Sequence, residues 1–298
     1  MTELNAAIDP INGNSAGLLI EDLNDLRRPC WIPYPRAEQG FQKLLDLLRS
    51  PPSHRPGGML LYGDSNSGKT TLTRYFQAHM AKVGKVGDAD FSFRGPNYIL
   101  TVQCPPYSST GALLSGTLRT LKAPHQDSWH WEKKLGATVS ILSKTNVRMV
   151  IIDEIHNALT GSHDKRVHFL NTIKYLSNEL CVPVVAVGTS LALTTIQTDQ
   201  QLGSRLEPFK LPKWDADKEF AQFLGRIFLH LKVKPVPAVN SRKFRERFVH
   251  MTDGLTGEVW SLALKVAEGM HAKGQEIVDE DIVVETPWVR PQDRRSER

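Results

Sequence analysis

A short apolar run, Met59-Leu60-Leu61-Tyr62, runs into Gly63-Asp64-Ser65-Asn66-Ser67-Gly68-Lys69-Thr70-Thr71, and a stretch with helical spacing follows. This is the spacing G-x-x-x-x-G-K-[ST], a phosphate-binding loop set between a buried strand and a helix. Glycines let the backbone curl so that successive N–H groups point inward, and the helix N-terminus adds its positive end. Residues 63–71 are therefore candidates to cradle a nucleotide, here ATP. Lys69 is placed to reach the β- and γ-phosphates, and the Thr70 hydroxyl to ligate Mg²⁺. A loop of this kind demands a strand before it and a helix after it, which points to a parallel α/β sheet.

A partner site is expected downstream. Met149-Val-Ile-Ile152 is apolar throughout, as a strand buried on both faces must be, and it ends in Asp153-Glu154. The expectation is that this strand lies beside the first, so that Asp153 opens next to the phosphates. There Asp153 would hold Mg²⁺ through water opposite Thr70, and Glu154 would act as general base on the attacking water. Val184-Val-Ala-Val187 leads into Gly188-Thr189, which puts Thr189 at the end of a third buried strand. Thr189 is read as a γ-phosphate sensor or water holder, or else as a helix N-cap. Arg205, beyond the next helix, is a candidate arginine finger for a neighbouring subunit's nucleotide.

The remaining chain fits around this centre. Hydrophobic residues at 40% and charged residues at 23% are ordinary for a globular protein, and 298 residues suffice for one large or two modest domains. No run approaches the ~20 apolar residues of a membrane span. The first residues carry no signal-peptide pattern, and three scattered cysteines suggest free thiols, so a cytoplasmic location is expected. The +5 net charge leans weakly towards an anionic partner. Four segments are expected: an extension and entry helix over 1–50, an α/β nucleotide-binding domain with five parallel strands over 51–214, a small helical lid over 215–285, and a basic, disordered tail over 286–298. Residues 84–96 read as a Gly-rich hairpin or loop. His156, His163 and His168 match no metal spacing. Asp153-Glu-Ile-His156 echoes a helicase DExH box, but the chain after Asp215 is too short and helical for a second nucleotidase-like domain.

Several phrases together resemble a known family. They are Ile32-Pro-Tyr34-Pro35-Arg36, the loop at 63–70, Ile152-Asp-Glu-Ile-His-Asn157, Phe169–Leu180, Gly188-Thr189, Ile196–Pro208 and Leu211-Pro-Lys-Trp214. The chain resembles the TniB family of transposon-encoded AAA+ ATPases, related to TnsC and the phage Mu B protein. The resemblance implies a P-loop NTPase fold with a helical lid, and a role in DNA transposition. ATP-bound subunits would assemble as a ring or helical filament on duplex DNA. They would recruit or regulate a transposase, with a target-selector protein as a further partner, and hydrolysis would reset the assembly. It also implies that Tyr34 and Pro35 line the adenine pocket. Backbone contacts to DNA are expected from Arg119, Lys122, Lys133, Lys134 and Lys144. One departure stands out: many AAA+ lids place an arginine where this chain has Trp260 after Gly257, and Trp260 is expected in the core. Rival readings are a helicase-loader or initiator-like remodeller and a nucleotide-gated scaffold with little hydrolysis.

Overall fold

The computed structural model describes residues 27, 30–83, 98–159 and 161–296, so the expected extension up to residue 26 and the Gly-rich stretch at 84–96 lie outside the described residues. Pro35 opens helix α1 (Pro35–Arg49) at its first position, where a missing N–H costs nothing. Five strands follow, β1 (Gly58–Tyr62), β2 (Ile99–Gln103), β3 (Met149–Asp153), β4 (Val184–Gly188) and β5 (Leu206–Lys210). Between them run α2 (Lys69–Val83), α3 (Thr110–Thr120), α4 (Trp131–Leu142), α5 (His163–Leu180), α6 (Ser190–Thr198) and α7 (Gln200–Gly203). All strand pairs are parallel, in the order β2-β3-β4-β1-β5.

That order corrects one expectation. The acid-bearing β3 does not lie beside β1; β4 is inserted between them, with Leu60 paired to Ala186 and Ala186 to Ile152. An apolar run reports burial on both faces but not the neighbour, and Met149–Ile152 and Val184–Val187 are equally apolar. The insertion places the end of β4, and Thr189 with it, between the loop and Asp153.

Strand alternation divides the core in two. Leu60, Val102, Ile152 and Ala186 face Leu113, Phe169 and Ile173 on one side. Met59, Leu61, Ile151, Val187 and Phe209 face Leu44, Leu48, Leu72 and Phe76 on the other. Among the described residues no helix is long and apolar enough to cross a membrane.

After Trp214 the chain becomes helical, in α8 (Lys218–His230), α9 (Arg242–Thr252) and α10 (Thr256–Ala272), with a short α11 (Ile282–Glu285). Asp217 caps α8 by accepting from Phe220 N at 2.8 Å. Phe220, Leu224, Phe228, Phe248, Leu262 and Val266 form a third cluster, which Tyr34 and Trp214 join from the connecting segments. Trp214 stacks on Phe223 at 4.5 Å, and its backbone N–H donates to Gly254 O at 2.8 Å.

The segment expected to be a disordered tail is instead packed on the helical unit. Trp288 Nε1 donates to Met251 O at 2.8 Å, its ring joins the lid cluster, and Arg290 grips Asp293 with two hydrogen bonds. A short helix, α12 (Asp293–Ser296), ends the described chain. The arginine count suggested solvation, and the one large apolar anchor, Trp288, outweighs it.

Gly254 has φ +65, and a Cβ there would lie 2.5 Å from Trp214 O. Gly254→Ala is expected to lower stability by about 1–3 kcal/mol, since alanine must adopt the left-handed conformation and push back the Trp214 backbone. Urea unfolding followed by tryptophan fluorescence measures this; an unchanged midpoint would contradict it.

Candidate functional site

A cavity of about 430 Å³ opens at the C-terminal edge of the sheet, between the loop, the strand ends and the helical unit. Its floor is the loop from Ser65 to Thr71. Asn66 (φ +66) and Gly68 (φ +91) both take left-handed conformations, which curl the backbone tightly before α2 begins at Lys69. The first N–H groups of a helix have no partner within it, and here they meet the cavity with the positive end of the helix dipole.

Lys69 is buried, and its ammonium donates to Gly63 O at 3.0 Å, Asp64 O at 2.6 Å and Ser67 Oγ at 3.3 Å. Burial pulls its pKa below the ordinary lysine value, opposed by the charges of Glu154, Asp153 and Asp64. The ammonium thus braces the loop from within, and it can exchange those carbonyls for phosphate oxygens without leaving the cavity. Gly63 and Asp64 contribute these carbonyls rather than cavity wall, and the Asp64 carboxylate lies 3.7 Å from Lys213.

Thr70 and Asp153 meet. The Thr70 hydroxyl donates to Asp153 Oδ2 at 2.8 Å, and Asp153 Oδ1 accepts from Glu154 N at 2.9 Å. Among the described residues no group of three or more His, Cys, Asp or Glu could hold a metal. One hydroxyl and one carboxylate suit Mg²⁺, which binds few protein ligands and completes its shell with phosphate oxygens and water. Thr70 and Asp153 would hold it there, where its charge would neutralise phosphate.

Glu154 has φ +58, a strained conformation for a residue with a side chain, and this bends the chain at the strand end. Its carboxylate is part of the cavity wall. His156 Nε2 lies 3.2 Å from Glu154 Oε2, and His156 Nδ1 is buried without a hydrogen-bond partner. His156 also lines the cavity, a role that a search for metal spacing alone does not find. The signal was its position two residues beyond the acid. Thr189 occupies the N-cap position of α6, yet its side chain makes no cap hydrogen bond and instead lines the cavity.

Four aromatic residues, Trp31, Tyr34, Phe223 and Trp260, dominate the remaining wall, alongside Cys30, Ile32 and Ala37. Tyr34 is buried between Trp214 and Phe223, and burial pushes its hydroxyl up to about 12. Pro35 does not join this wall; it serves as the first residue of α1. Trp260 is not core as expected. It sits half-buried at the margin of the apolar stripe Val259–Leu262–Ala263–Val266 and faces the cavity. The helical unit also grips the loop directly. Gly257 N donates to Asn66 O at 2.9 Å, and Asn66 Nδ2 donates to Glu258 Oε1 at 3.1 Å. A Cβ at Gly257 would lie 1.9 Å from Asn66 Oδ1, so any larger residue must displace the Asn66 amide.

Arg205 is not brought to the cavity. It precedes β5, whose first residue pairs with Gly58, and so it stands at the opposite end of the sheet from the loop. Five strand residues at about 3.3 Å each separate the two ends by ~17 Å. Its Nη1 donates to Asn178 Oδ1 at 2.6 Å, and its Nε is buried without a partner. Of the expected DNA contacts, Arg119, Lys122, Lys133 and Lys144 are exposed on or beside α3 and α4. Lys134 is not available: it is buried, with Nζ donating to Asp127 O at 2.8 Å. Its position in α4 faces inward, which a count of basic residues cannot show.

Comparisons with known proteins agree with this architecture. No curated protein matches the chain. Among solved structures it is similar to the Aeropyrum pernix ORC2 protein in ADPNP–ADP complexes, with a TM-score of 0.62 and 17% identity over 88% of this chain and 70% of that one. The Aeropyrum pernix ORC1 protein in complex with DNA gives 0.61 and 16% over 90% and 67%. Cdc6p from Pyrobaculum aerophilum gives 0.57 and 17% over 86% and 68%. At these identities the likeness is one of fold, and the fold is that of AAA+ P-loop NTPases. The family model described as bacterial TniB protein matches residues 22–216, the whole loop-to-β5 unit and its entry helix, and the chain belongs to the TniB family.

Proposed function

We propose that this protein is an ATPase of DNA transposition. It binds ATP with Mg²⁺, assembles as a homo-oligomer on duplex DNA, and recruits or regulates a transposase, with hydrolysis resetting the assembly. A target-selector protein is a further partner, and the cytoplasm the site of action. The observation that carries the reading is one cavity lined by Lys69, Thr70, Glu154 and Thr189, with Asp153 hydrogen-bonded to Thr70, in a chain of the TniB family.

The chemistry follows from the residues. Loop N–H groups and Lys69 bind the β- and γ-phosphates and stabilise the charge that develops on them. Thr189 holds the attacking water, and the Glu154 carboxylate accepts its proton as the water oxygen bonds the γ-phosphorus and the bond to ADP breaks. The aromatic wall receives the base. Arg205, facing away from its own loop, acts on the nucleotide of a neighbouring copy. Arg119, Lys122, Lys133 and Lys144 contact DNA phosphates, which makes binding sequence-neutral and salt-sensitive. The likeness of fold to ORC and Cdc6 proteins favours one alternative, an initiator-like DNA remodeller. Electron microscopy with duplex DNA and a slowly hydrolysed ATP analogue tests the assembly: protein-coated DNA is expected, and nucleotide-independent monomers would overturn it.

Glu154→Gln is expected to keep ATP binding and assembly while turnover falls by about 10²–10⁴-fold, measured as phosphate release. An unchanged rate would remove Glu154 as the base. Arg205→Ala should keep nucleotide binding and lose about 10³-fold in turnover. Mixing it with Lys69→Ala subunits should recover activity, because each variant supplies what the other lacks; no recovery at any ratio would exclude action between subunits.

A further inference from the structure

The C-terminal segment lies beyond the family match, yet a chain of contacts leads from it to the phosphate loop. Trp288 anchors it on the lid, and Arg294 folds back over that ring, its guanidinium 5.0 Å from the centroid and its Nε donating to Val289 O at 2.9 Å. Arg294 Nη1 then donates to Glu258 Oε1 at 3.2 Å. Its Nη2 lies 3.0 Å from Oε2 but out of line for a hydrogen bond, so that oxygen is buried with only the cation's charge beside it. Glu258 is in the first turn of α10, its side chain 12% exposed, and its Oε1 also accepts from Asn66 of the loop.

A carboxylate in this place needs compensation. It is held against a loop built to receive a polyanion, and the residues that the lid contributes to the cavity, Phe223, Thr256, Gly257 and Trp260, carry no cation. Left alone, Glu258 would repel phosphate bound at the loop. With Arg294 paired to it, the charge is cancelled while the acceptor for Asn66 is kept.

We propose that Arg294 is a positioning residue for the nucleotide: acting through Glu258, it holds Asn66 and the lid on the loop and neutralises the carboxylate beside the phosphates. The C-terminal segment is thereby a strap that sets nucleotide affinity. The proposal rests on the reading of the cavity as an ATP site.

The test uses full-length protein, with ATP affinity measured by calorimetry and turnover by phosphate release. Arg294→Ala should weaken ATP binding roughly three- to tenfold and raise KM, with kcat at saturating ATP unchanged, and the loss should shrink at high salt. Glu258→Gln keeps an acceptor for Asn66 without the charge, so adding Arg294→Ala to it should cost little. Matching urea midpoints confirm that the variants fold. Wild-type affinity in Arg294→Ala, or an equal loss in the Glu258→Gln background, would overturn the strap while leaving the ATP site standing. Wild-type protein that binds no ATP would overturn both.

Discussion

The site depends on one spacing. Neighbouring strands lie about 4.8 Å apart, so inserting β4 sets the strand that feeds the loop and the strand that carries the acids roughly 10 Å from each other. Thr70 and Asp153 reach across that interval and meet at 2.8 Å. Had a second strand intervened, no hydroxyl could bridge the gap. The end of β4 fills the middle of the interval with Thr189, so three consecutive strand ends present loop, threonine and acids in a row.

Much of this was readable beforehand because the governing signals are local. A strand that feeds a glycine loop, and an apolar run that stops at two acids, each declare themselves within ten residues. Strand order does not, since it is decided by pairings between segments far apart in the chain. Side-chain direction was the other gap. Lys134, Trp260 and the Arg294–Glu258 pair each turn on which way a residue faces on its helix, and composition is silent about that. The place of His156 in the cavity was hidden for a different reason: its contact is with Glu154 two positions away, across a left-handed turn that no helical or strand period describes.

A cluster of three rings joins the lid to the sheet. Tyr34, Trp214 and Phe223 come from the entry segment, the exit of β5 and the first lid helix, and they lie within about 5 Å of one another. Their packing is apolar and desolvated, while the second junction, at Asn66, Gly257 and Glu258, is polar and partly charged. The first kind of contact fixes where the lid is attached. The second kind joins the lid to the loop that floors the cavity.

Pro208 stands in the middle of β5, at the edge of the sheet, paired with Leu60 on its inner side. It has no N–H to offer outward, and the neighbouring Glu207 carries the Lys43 ammonium across the same margin. A strand so blunted is a poor template for another strand. At this edge the fold resists β-augmentation, so whatever docks there must be recognised by side-chain shape and charge rather than by strand pairing.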